Sequence, residues 1–265
     1  METTEKVGTR NPFAQRLLAE RHSWPLTIAL HLVPGALVVA AYFLIAHPLT
    51  QAIHYPAFLA WAIALLVVLV PGELGLLLWL GRQRNGRWSL RGVVHYLDKP
   101  LSRRQLVPIV VVLFLQFLVL SLALTPFDNL IYNTFFTWLP FEGAGGSVTA
   151  YLDGYPHSVM VIALAVCIPF TGLSLPIIEE LYFRGFLMPR LPHQGRLTPL
   201  LSSALFSLYH LWAPWPLISR VIFMLPGAWM VYKKKDLRLS IGMHPGNTFF
   251  LQVVGTLALL FNVMP

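Results

Sequence analysis

Apolar residues in this chain gather in long blocks instead of alternating with polar ones. The blocks lie at roughly 24–46, 57–81, 106–125, 157–177, 197–213, 217–232 and 240–263. Several exceed the ~18 consecutive apolar residues that mark a membrane-crossing helix. The pattern predicts an all-α fold, a polytopic membrane helical bundle of seven transmembrane helices. Eight is the alternative count, should 178–195 form a separate span. The segment 178–192 is expected to continue the fourth span as helix through "EELYFRGFLMPRL". Pro34, Pro71, Pro169, Pro176 and Pro226 fall inside the blocks and predict kinks, which membrane helices tolerate when neighbours satisfy the freed carbonyls.

Residues 1–23 read as a polar N-terminal tail, and 24–265 as one membrane domain without internal repeat. The first apolar block is too long for the core of a cleavable signal peptide. Hydrophobic residues make up 56% of the chain, above the share usual in soluble domains, which agrees with the block pattern. The lone cysteine, Cys167, leaves no disulfide framework or cysteine-based metal site within one chain.

Charge then orients the spans. The tail carries Lys6, Arg10, Arg16 and Arg21, and the connection after the second span carries Arg82, Arg84, Arg87, Arg91, Lys99, Arg103 and Arg104. Arg184, Arg190 and Arg196 follow the fourth span, and Lys233, Lys234, Lys235 and Arg238 follow the sixth. Seven spans put these stretches on one side, with 18 of the 19 basic residues and only Arg220 opposite. The 126–156 connection has no basic residue, only Asp128, Glu142 and Asp153. The positive-inside rule then places the N-terminus in the cytoplasm and the C-terminus outside, in a multi-pass cell-membrane protein. The net charge of +8 is thereby a topology signal, aided by anionic lipid of the bilayer, with no motif for nucleic acid beside it.

Against this background "SLPIIEELYFRGFL" (174–187) stands out. Glu180 and Arg184 are four residues apart and share a helix face, so they can pair. Glu179 points about 100° away and has no local cation. An ionisable group at membrane depth costs ~2.5–3.5 kcal/mol on insertion scales, which points to function. Partners for Glu179 are sought on other helices. "LFSLYHLW" offers His210, with Phe206 one turn earlier, and "IGMHPGNTFF" offers His244 and Asn247.

The series "EELYFR" (179–184), "FSLYH" (206–210) and "HPGN" (244–247) resembles the CPBP (ABI) family, the CAAX prenyl endoproteases and bacteriocin-processing intramembrane proteases. The motifs follow the family's order, and the region at about 157–263 carries the resemblance. It implies a membrane-embedded endopeptidase with a glutamate-dependent mechanism and catalytic-site residues Glu179, Glu180, Arg184, His210, His244 and Asn247. One feature departs from the family: Asn247 comes three residues after His244 instead of four, and Thr248 fills the usual slot. Pro245 disfavours helical backbone at His244 and predicts a helix that starts there, with His244 N-cap-like.

Peptide hydrolysis needs an activated water, a stabilised oxyanion and a proton for the leaving amine. A carboxylate in a low-dielectric pocket suits the first and last, and Glu179 is the expected base. His210 and His244 could bind Zn²⁺, or orient water and stabilise the oxyanion with Asn247 as donor. Both alternatives stand at this point. The expected substrate is a membrane-anchored protein or an exported peptide, met by a site opening to the cytoplasm. The other reading is a non-proteolytic scaffold, or an immunity or maturation factor, that keeps the polar cluster for packing. Absence of repeat symmetry sets a transporter aside.

Overall fold

The computed structural model describes residues 11–141 and 154–263; Lys6, Arg10, Glu142 and Asp153 lie outside them. A short helix α1 (Pro12–Leu17) opens the described chain. Asn11 caps it by accepting from the N–H groups of Phe13 and Ala14, with Pro12 at the first position, where its missing N–H costs nothing. Four long helices follow: α2 (Trp24–Ala52), α3 (Ala57–Asn85), α4 (Arg103–Phe136) and α5 (His157–Arg190). Each is long and apolar enough to cross a membrane. The chain ends with α6 (Thr198–Tyr209), α7 (Leu217–Lys234) and α8 (Arg238–Leu260).

The fold class is all-α and membrane-type, and the long blocks set it. α5 continues without a break from the fourth block through 178–190, as its composition predicts. Seven full crossings do not follow from helix length. The 12 residues of α6 rise only ~18 Å, short of a ~30 Å hydrocarbon core, because the helix stops at Tyr209 before "HLWAPWP". Prolines explain two of the irregularities. Pro71 and Pro169 sit in wide π-type turns, Val70–Gly75 and Ile168–Ser174, where the missing N–H breaks the regular ladder. Pro34, Pro226 and Pro245 stay inside regular helix.

The basic stretches meet at one end of the bundle through backbone hydrogen bonds. His22 N–H donates to Arg190 O, His95 N–H to Gly185 O, and Leu237 N–H to Tyr96 O. Beneath them lies the main core, in which Phe183, Phe186, Leu187, Met188, Val231 and Leu237 are buried. α4 is the most peripheral of the long helices, with Val107, Val111, Leu115, Val119 and Leu122 exposed, as suits a lipid-facing surface.

Candidate active site

Glu179 ends a regular α-turn, and Glu180 begins a wide π-helical stretch, Glu180–Leu187. π-type turns often mark functional positions, and this one sends the two carboxylates to different neighbours. Glu180 and Arg184 are both 0% exposed, with Arg184 Nη1 3.5 Å from Glu180 Oε1. The contact is an ion pair without a hydrogen bond, since no guanidinium nitrogen of Arg184 has a hydrogen-bond partner among the described residues. Instead, its guanidinium lies over the Phe206 ring at 4.0 Å.

Glu180 also holds a histidine. His244 Nδ1 is 2.9 Å from Glu180 Oε1, which turns Nε2 toward Glu179 Oε2 at 3.9 Å. Among the described residues Glu179 has no Lys or Arg contact of this kind. It accepts a hydrogen bond from the Tyr209 hydroxyl at 3.2 Å. Phe206 sits between the remaining groups, its ring 4.7 Å from that of His210 and 5.7 Å from that of His244. The Phe-x-x-x-His spacing thus supplies both a packing post for Arg184 and a wall for two histidines.

His210 is the residue at which α6 ends. Its Nδ1 lies 2.8 Å from Phe206 O, and a carbonyl only accepts, so Nδ1 carries a hydrogen and, in the neutral ring, Nε2 keeps its lone pair. Close packing fixes this turn: a Cβ at Gly35 of α2 would overlap the carbonyl oxygen of Tyr209.

Glu179, His210 and His244 line one cavity of ≈ 170 Å³, together with Thr171, Thr248 and Trp212. Leu65, Leu69, Leu175 and Pro176 complete its wall. The wall runs away from the basic end: Trp212 packs near Trp61, close to the start of α3, whereas the arginines lie at that helix's other end. Phe183 and Phe186, further along α5, are buried in the main core.

Two expectations for the last motif are corrected. α8 begins at Arg238, so His244 is mid-helix, not an N-cap; the helix passes through Pro245, flanked by Gly242 and Gly246, packed against α4 and α5. Asn247 is 0% exposed and does not line the cavity. Its amide donates to Phe114 O and Met243 O and ties α8 to α4. Of the two, Thr248 lines the cavity, and its hydroxyl donates to Gly172 O at 2.8 Å.

Sequence reasoning passed over Glu73. Its side chain is 0% exposed in the π-turn of α3, and neither carboxyl oxygen has a hydrogen-bond partner among the described residues. It lies within electrostatic reach of Glu179 and Tyr209. The signal was available, since a lone carboxylate in "LVPGELGLLL" is as anomalous as the later pair.

Among the described residues no three His, Cys, Asp or Glu side chains group closely enough to hold a metal ion. Glu179, His210 and His244 do not form the three-ligand set of a catalytic zinc in this arrangement.

Residues 160–250 match the family model described as "Rce1-like: Type II CAAX prenyl endopeptidase Rce1-like". No curated protein and no solved structure matches the chain. All three motifs lie inside the matched residues, so over 160–250 the chain is similar to the CAAX-protease family that those motifs resemble.

Proposed function

We propose that the protein is an intramembrane endopeptidase that cleaves membrane-associated or exported peptides with water activated by Glu179. The observation that supports it best is the split of the glutamate pair. Glu180 is sealed with Arg184 and His244, while Glu179 faces a cavity shared with both histidines.

In this reading a water lodges between Glu179 Oε2 and His244 Nε2, whose 3.9 Å separation is too long for a direct hydrogen bond. Glu179 takes the water proton as the oxygen attacks the scissile carbonyl, then delivers it to the leaving amine. Tyr209 steadies the carboxylate, and Glu180 fixes the ring of His244. His210 Nε2 orients the water or substrate as an acceptor. Thr248 takes the polar place that Asn247 leaves.

The scaffold or maturation-factor reading is favoured by one observation, the absence of Asn247 from the cavity lining. Purified protein in liposomes, assayed on a peptide library with and without a chelator, separates the two. Cleavage by wild type that disappears in Glu179→Gln supports the endopeptidase. Cleavage retained in Glu179→Gln, or none by wild type, supports the other.

A further inference from the structure

Arg220 is the one basic residue that the charge pattern leaves on the far side, and no motif includes it. It sits three residues into α7, within a segment otherwise suited to lipid. Such a cation at depth calls for a partner or a task.

Its neighbours identify the task. A helix leaves its last carbonyls without intrahelical donors. At the end of α6, Phe206 O is met by the His210 ring, Ser207 O by His210 N–H at 3.3 Å, and Tyr209 O by Leu211 N–H. Arg220 Nη1 adds a second donor to Ser207 O at 3.4 Å. The same guanidinium reaches Ala213 O with Nη1 at 3.3 Å and Nη2 at 3.4 Å. Ala213 N–H in turn donates to His210 O. The guanidinium therefore grips both sides of the turn that contains His210, and its charge suits the negative end of a helix.

The grip is itself anchored. Ser219, next to Arg220, donates to Asp128 of α4 at 2.5 Å, and the Asp128 carboxylate lies within electrostatic reach of Arg220. Glu179 and His210 are also within reach of the Arg220 charge. We propose that Arg220 is a positioning residue that clamps the 207–213 turn from α7 and so holds His210 in the cavity. The clamp is a structural claim of its own; its service to catalysis rests on the endopeptidase reading.

Two readouts keep these apart. Hydrogen exchange in detergent-solubilised full-length protein reads the clamp without any substrate. Arg220→Gln should speed exchange of the 208–213 amides by about 10-fold or more while α2 and α8 stay unchanged. Arg220→Lys, which keeps the charge but not the fork, should fall between. On a cleaved peptide, Arg220→Gln should lower kcat by about 10–100-fold with KM within about 3-fold, as displacement of a catalytic group does. Asp128→Asn should show both effects in weaker form, and serves if Arg220→Gln fails to fold. Unchanged exchange at 208–213 overturns the clamp whatever the activity. Faster exchange with unchanged kcat overturns the link to His210 chemistry. If wild type cleaves nothing, the endopeptidase reading fails while exchange still decides the clamp.

Discussion

Replacing Glu180 with Gln keeps the side-chain shape and removes one charge from a pair that has no exposure to solvent. At 3.5 Å and an effective dielectric of ~20, the lost attraction to Arg184 is about 5 kcal/mol. Breaking a buried pair from one side typically costs ~3–5 kcal/mol, because the surviving charge stays desolvated. Here Arg184 keeps the Phe206 face and the more distant charge of Glu179, and none of its nitrogens has a hydrogen-bond acceptor among the described residues. The amide oxygen of Gln can still meet His244 Nδ1, so loss of that contact does not dominate. Melting in detergent should fall by roughly 6–20 °C at the sensitivity usual for chains of this size. Glu180→Gln combined with Arg184→Met removes both charges and leaves an apolar chain against Phe206, and should recover at least half of the loss. A Glu180→Gln protein that melts within about 2 °C of wild type would refute the reasoning. So would a double variant no more stable than the single one, which would mean that shape and not charge holds the segment.

Glu73→Leu should leave the melting temperature unchanged or raise it, because no hydrogen bond is broken and a buried carboxyl is removed; a clear drop would reveal an unseen partner. Asp236, between α7 and α8, gives a pH dependence. Burial pushes its carboxyl up, but hydrogen bonds from the Arg238 side chain and from the N–H groups of Leu101 and Arg238 outweigh burial and hold it below the ordinary range. Its contribution is present above the unfolded value of ~3.9 and is lost as pH falls through the lower folded value, so acid melting below about pH 4 should flatten in Asp236→Asn. For topology, reporter fusions at Arg87 and at the C-terminus should read cytoplasmic and outside, and a cytoplasmic C-terminus would overturn the assignment. A cysteine at Leu65, which lines the cavity from the half of α3 away from its arginines, should react in a Cys167→Ser background with an impermeant maleimide applied outside intact cells; labelling only from the inside would instead support the cytoplasmic opening.

The blocks of apolar sequence determined the all-α membrane fold, because backbone groups in lipid must bond within their own helix. Spacing alone paired Glu180 with Arg184 and left Glu179 apart, since four residues bring side chains to one helix face. The order of three motifs also sufficed to bring Glu179, His210 and His244 to one cavity as an expectation. Tertiary structure decided what depends on contacts between helices. The reach of Asn247 to Phe114 O and of Thr248 to Gly172 O depends on how α8 packs on α4 and α5, which no spacing within "HPGN" encodes. Pro245 predicted a helix start, but neighbouring helices stabilise the turn before it, so tertiary packing overrode a local preference. Tyr209, Glu73 and Arg220 come from segments up to about 150 residues apart, and only folding brings them to one place.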